Sequence, residues 1–202
     1  MYSNTQRKGH LELQLILASG SPRRKKLLEQ AGLQFLTKIP DVDEQSVTAS
    51  DACQLVEKLA VMKGEKLSPA KREVVLSADT VVSQHGRILT KPESREDAFA
   101  MLSELNGETH HVYTGVSIRS QDKSTVFSVV TKVTFWEMTD EQLAAYIATG
   151  EPFDKAGGYG IQGKGALLVQ EIHGDYFNVV GLPLSKVVRE LEHFGIVPSS
   201  SG

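Results

Sequence analysis

The chain has 202 residues, a formal net charge of −3, 40% apolar residues and 23% charged ones. That length suits about one domain with a sizeable core, and the composition is that of a globular protein in water. The charge gives no general attraction to nucleic acid, and no apolar run approaches the ~20 residues of a membrane span. The single cysteine, Cys53, excludes an intrachain disulfide and fits a reducing cytoplasm.

The polar start "MYSNTQRKGHLELQ" lacks the apolar core of a secretion signal. Residues 1–13 read as a disordered lead, 14–197 as one domain and "PSSSG" (198–202) as a loose tail. "QLILA" (14–18) reads as a buried strand. Ser21 then caps a helix with Pro22 at its first position and Gly32 at its end. "FLTKI" (35–39) reads as a strand, and the acidic loop "PDVDEQSVTASDA" leads to a helix capped by Ser50 and running to about Leu67. Val74–Leu76 form a β-branched strand, which "QHGR" turns into a hairpin. Ser94 caps a helix closed by Gly107. Two long strands follow, "THHVYTGVSIRS" and "STVFSVVTKVTFWEM", and then a short helix with a Thr139–Gln142 capping box. "ALLVQEI" and "DYFNVV" read as a hairpin around His173–Gly174, and Pro183 opens a last helix that ends near Phe194. The order is that of a mixed α/β fold rather than of strict strand–helix alternation.

"ASGSPRR" joins a strand end to a helix start through small residues. Free backbone N–H groups there suit an anion, and Ser19 and Ser21 add hydroxyl donors. Arg23 and Arg24 lie in the first helical turn, where cations oppose the helix dipole unless an anion joins them. The bland alternative is an N-capped helix with a solvated basic face, which suffices for Lys25 and Lys26. Asp79, just past the apolar run of "VVLSADT", can hold Mg²⁺ or take a proton from water, or it can be a turn aspartate. Asp41, Asp43 and Glu44 offer further carboxylates, or form a solvated loop. "GGYGIQGKG" matches both GxGxxG and GxxxxGK, but strand-like sequence follows and Gly165 stands where a P-loop needs Ser or Thr, so both nucleotide motifs fail. Gln162 is left as the specific polar side chain of that loop, facing a base edge or water. Lys63 and Lys91 taken singly read as surface lysines. Cys53 reads as a small buried apolar residue, and the six histidines lack zinc spacing.

Together, "LASGSPRR", "SADT", "KP", "DKAGGYGIQGKGA" and "GDYFNVVGLPLS" resemble the Maf family of nucleoside triphosphate pyrophosphatases, in order and spacing from Leu15 to Ile196. The resemblance implies a two-lobed mixed-sheet α/β fold with a central cleft, similar to that of inosine triphosphate pyrophosphatases, and a cytoplasmic homodimer. It implies metal-dependent hydrolysis (Mg²⁺ or Mn²⁺) of a nucleoside triphosphate to the monophosphate and pyrophosphate. Asp79 matches the proton acceptor, and Glu44 matches an acid assisting metal or water. Ser19, Arg24, Lys63 and Lys91 match phosphate-cleft positions. Arg23, Thr80 and Gln162 match the positions that separate substrate classes, and resemble the branch acting on dTTP and UTP, modified pyrimidines included. The competing class is a nucleotide-binding regulator of septum formation. Ser77 departs from the glycine common before "ADT", and Thr90 and Gly64 occupy variable or usually small positions.

Overall fold

The computed structural model describes residues 13–199. All of the polar lead except Leu13, and the last three residues of the tail, lie outside the described residues. Strand β1 (Gln14–Leu17) is buried between two parallel neighbours, β2 (Phe35–Thr37) and the first part of β3 (Glu73–Gln84). Helix α1 (Pro22–Gln30) joins β1 to β2, and the Ser21 hydroxyl accepts from the Arg24 N–H at 3.4 Å, the expected cap. Helix α2 (Ala52–Glu65) joins β2 to β3. Its cap is Asp51 rather than Ser50, because the carboxylate, a stronger acceptor than a hydroxyl, takes the Gln54 N–H at 2.8 Å.

β3 turns through His85–Gly86 into β4 (Arg87–Leu89). Helix α3 (Arg95–Leu105) follows, capped by Ser94. Strands β5 (Thr109–Arg119) and β6 (Ser124–Phe135) then run antiparallel to β3 and to each other. Helix α4 (Asp140–Ile147) carries the Thr139–Gln142 capping box. The seven strands form one mixed sheet in the order β2-β1-β3-β5-β6-β7, with β7 being Val169–His173 and β4 beside β3. The mixed α/β class is therefore as expected. Among the described residues no helix is long and apolar enough to cross a membrane.

Three further sequence readings change. "DYFNVV" is not a strand: Tyr176–Val180 form helix α5, and only Val169–His173 of the expected hairpin is extended. The Asp175 carboxylate caps α5 by accepting the Phe177 N–H at 2.8 Å, and Gly181 ends it at a φ of 124°. Asn178 then donates to the Val112 carbonyl and the Thr131 hydroxyl, both at 3.0 Å. Such tertiary bonds decide a short apolar run that periodicity cannot assign. Second, Asp79 lies in the middle of a twelve-residue strand, opposite Gly115, and not in a turn. Third, Cys53 is half-buried, with its Sγ 2.9 Å from the Ser128 hydroxyl, rather than enclosed by apolar groups.

Two large apolar clusters flank the middle of β3. One joins Leu15, Leu17, Leu28, Leu76 and Ile118 to Val187 and Leu191 of the last helix, α6 (Leu184–Glu192). The other joins Val82, Leu89, Leu102, Leu105, Val112, Phe135 and Tyr159. Helix α2 covers the opposite face of β3 and β5. A Cβ built on Gly115 would lie 2.3 Å from the Val56 carbonyl, and one on Gly64 would lie 2.8 Å from the Ser77 hydroxyl. The helix thus rests its backbone directly on the sheet, and Ser77 anchors it by donating to the Ala60 carbonyl at 2.7 Å.

A methyl group at Gly115 meets backbone, which cannot rotate away. Gly115→Ala should therefore lower stability by about 1–3 kcal/mol, as overpacking does. It should also displace Lys63, which α2 carries. A urea midpoint matching the parent's would show that α2 does not rest on this contact.

Candidate active site

β1 accompanies β3 only as far as Leu76, and β4 joins it only from Val82. Between those points β3 has β5 on one edge, and a cleft of about 1130 Å³ opens on the other. Adjacent strand residues point to opposite sheet faces, yet with no neighbouring strand on this edge both Asp79 and Thr80 line the opening. So do the other sequence-derived candidates, Ser19, Ser21, Arg23, Arg24, Glu44, Lys63, Lys91 and Gln162. Asp41 and Asp43 do not line it.

On the α2 face, the Lys63 ammonium sits between two carboxylates. Its Nζ lies 2.6 Å from Asp79 Oδ1 and 2.8 Å from Glu44 Oε1. Asp79 is buried and Glu44 is half exposed at the side chain. Burial works to raise the Glu44 carboxyl, but the bond to Lys63, with the charges of Lys63, Lys91 and Arg24, holds it below the ordinary carboxylate value. Glu44 comes from a short 3₁₀ turn, Glu44–Ser46, so the acidic loop contributes one carboxylate rather than three.

On the other face, the Arg24 guanidinium is buried and held by three of its five N–H groups. It donates to the Gly181 carbonyl at 2.8 Å, the Thr80 hydroxyl at 3.1 Å and the Ser19 hydroxyl at 3.2 Å. Burial pushes its pKa down, and Asp79 opposes that shift while Arg23 adds to it. Thr80 pairs in turn with Thr114 at 2.9 Å, and Thr114 donates to the Asn178 carbonyl at 3.0 Å. Thr114, Asn178 and Gly181 were not singled out by the sequence. Their role depends on α5 being a helix that folds back on β5, and no local pattern carries that information.

Arg23 reaches across the cleft to Asp154 at 2.9 Å. Lys155 also bonds Asp154, and it donates to the Glu151 carbonyl at 2.7 Å. The glycine-rich segment is a chain of 3₁₀ turns, Ala156–Gly158 and Gly163–Leu168, with the exposed Gln162 between them. Tyr159 anchors that segment inward. Its hydroxyl is 2.8 Å from His110 Nε2, and both rings stack edge-on with each other and with Phe135. Burial, followed by the neighbouring His111, holds the His110 imidazole down at about 3.

A family model described as "Maf-like protein" matches residues 14–194. A protein of Bacillus cereus (strain ATCC 10987 / NRS 248) named dTTP/UTP pyrophosphatase is 48% identical over 194 residues, covering 96% of this chain and 96% of that one. Another so named, from Bacillus anthracis (strain CDC 684 / NRRL 3495), is 50% identical over 183 residues, covering 90% of this chain and 96% of that one. Among solved structures, the Staphylococcus aureus Ham1 protein matches with a TM-score of 0.42 and 16% identity, over 60% of this chain and 71% of that one.

His110 makes a pH prediction whose sign is fixed. Its folded pKa lies below the ordinary 6.5, at about 3, so the unfolded chain binds the extra proton in that interval. Its contribution is fully present above pH 6.5 and is lost as pH falls toward 3, on the order of 5 kcal/mol in all. Thermal unfolding of His110→Gln should show a shallower loss of stability between pH 6.5 and 4 than the parent. Parallel curves would mean that His110 is protonated in the fold.

Proposed function

The chain belongs to the Maf-like protein family, and on that premise we propose that it hydrolyses nucleoside triphosphates between the α and β phosphates, with dTTP and UTP preferred. The observation that carries this reading is the pair of carboxylates beside the cations: Asp79 and Glu44 converge on Lys63 while Arg24 stands on the other face of the same strand. A protein that only bound nucleotide would gain from the cations and lose from the acids, which repel phosphate. Carboxylates at that spot suit water activation instead.

A triphosphate entering the cleft would meet Ser19, Ser21 and Arg24 at the end of β1, with Lys63 and Lys91 opposite. Arg24 is already oriented by three bonds, so it would stabilise developing charge without reorganising. Lys63 would exchange part of its bonding to Asp79 and Glu44 for phosphate oxygens. That exchange would free Asp79 Oδ1 to accept a proton from water aimed at the α phosphorus.

The donor set also fits a divalent metal. Among the described residues no three His, Cys, Asp or Glu side chains gather into a closed cation cage. Two carboxylates completed by phosphate oxygens and water are what Mg²⁺ usually takes. Asp79 and Glu44 would hold the ion, and its chemistry when bound would be to offset phosphate charge and lower the pKa of coordinated water. Until then Lys63 bridges the two carboxylates.

Asp79→Asn keeps the side chain's shape and removes the base. Hydrolysis of dTTP should fall by roughly two to four orders of magnitude, the span of a general base. Nucleotide binding by calorimetry should persist, and near-parental turnover would rule Asp79 out.

Base choice would rest on Gln162. Uracil and thymine present an N3–H between two carbonyls, and a carboxamide can accept from the first and donate to a carbonyl. Cytosine lacks that N3–H. A panel of dTTP, UTP, CTP, ATP, GTP and modified pyrimidine triphosphates should rank CTP about ten- to a hundred-fold below UTP in kcat/KM. Purines should rank lower still. In ¹⁸O-labelled water the label should appear in the monophosphate, and label in pyrophosphate would mean attack at the β phosphorus.

A further inference from the structure

We infer that Glu151 is a positioning residue for base selection, holding the segment that carries Gln162 in reading position. Gln162 is exposed, and no side-chain bond of its own fixes it at the start of the Gly163–Leu168 turn. What holds the turn that follows it is the Glu151 carboxylate. Oε1 accepts the Lys164 N–H at 3.1 Å, and Oε2 accepts the Gly165 N–H at 3.2 Å. The charge thus satisfies two N–H groups at the beginning of a 3₁₀ turn, where they have no partner within the turn, by charge-assisted bonds.

The fit allows little latitude. A Cβ built on Gly163 would lie 2.9 Å from Glu151 Oε1, and one on Gly165 would lie 2.2 Å from the Gly160 carbonyl oxygen and 2.8 Å from the Tyr146 hydroxyl. The glycines at 163 and 165 therefore let the carboxylate approach and let the loop fold on itself. They are not a phosphate cradle. Glu151 is fixed in turn: its carbonyl accepts Lys155 Nζ at 2.7 Å, and its N–H is held by the Thr149 hydroxyl at 3.1 Å. Lys155 also bonds Asp154, which holds Arg23 on the facing wall. One four-residue turn, Glu151–Asp154, sets both Arg23 and the Gln162 segment in register.

This inference rests on the base-reading role proposed for Gln162, and the test separates the two. The UTP-to-CTP ratio of kcat/KM is measured for the parent, Gln162→Ala, Glu151→Ala and the double variant. Glu151→Ala should lower the ratio about ten-fold, mainly through KM for UTP, as expected for a loosened hydrogen-bonding site. In the Gln162→Ala background the same change should move the ratio less than about two-fold, since the reader it positions is gone. Glu151→Gln keeps one acceptor oxygen and the shape, so it should fall between the parent and Glu151→Ala. It also serves as the reading if the alanine variant does not fold. A merely structural role would lower both nucleotides equally and leave the ratio unchanged, which overturns the inference. Equal effects of Glu151→Ala with and without Gln162 overturn it as well. A parent ratio that Gln162→Ala does not alter would instead overturn the base-reading role itself.

Discussion

The site depends on how closely helix α2 lies against the sheet. Gly115 presents no side chain beneath Val56, and Gly64 presents none above Ser77, so the helix backbone meets the strands directly. A larger residue at either position would lift the helix. That would lengthen the 2.6 Å contact between Lys63 and Asp79, whose strand neighbour is Gly115. The contact joins a helix residue to a strand residue across the layer interface, so its geometry is only as good as the packing. The hydrogen bond from Ser77 to the Ala60 carbonyl adds a polar pin at the same interface. Ser77 is therefore accommodated beneath Gly64 of the facing helix and bonded to it.

Strand β3 carries the second constraint. It is long enough to serve two neighbours on one edge in succession, β1 and then β4, with β5 continuous on the other. The interval between them is where the cleft opens, flanked by the two apolar clusters. Burying Arg24 there would cost several kcal/mol if it were left unpaired. Three oxygens from three separate elements meet that cost: Ser19 after β1, Thr80 in β3 and the Gly181 carbonyl after α5. Arg24 thus ties together the elements that border the cleft, and it holds its charge in one direction.

Much of this was legible in the sequence where the signal was local. Caps at Ser21 and Ser94, the Thr139–Gln142 box and the turn at His85–Gly86 each use nearest-neighbour chemistry and appear as expected. Asp79 was found for an incomplete reason: the strand end that matters is that of β1, and Asp79 reaches the site from the middle of a strand beside it. The helix at Tyr176–Val180 was missed because its residues are β-branched and aromatic in part, and what holds it is Asn178 reaching β5 and β6. Glu151 and Asp154 were passed over because a carboxylate gives no sign in sequence of which distant N–H or guanidinium it will meet.

Two arginines at the start of α1 looked costly without an anion, and the structure shows how the chain bears them. Arg23 is paired with Asp154, Lys63 with Asp79 and Glu44, and Arg24 with neutral oxygens. These cations differ in how easily they can turn to a substrate. Arg24 is buried, and leaving its three partners would strand the Gly181 carbonyl, so it acts as a fixed charge. The Arg23–Asp154 pair is exposed, with side chains 29% and 61% accessible, and such pairs contribute about 0–1 kcal/mol. It can be exchanged for phosphate at little cost. Lys63 lies between these cases, since leaving Asp79 would uncover a buried carboxylate unless water or a cation took its place. Affinity for a polyanion in this cleft is therefore a difference between new and surrendered pairs, smaller than the number of cations alone would suggest. An anion that draws Lys63 away uncovers the Asp79 carboxylate in the same event.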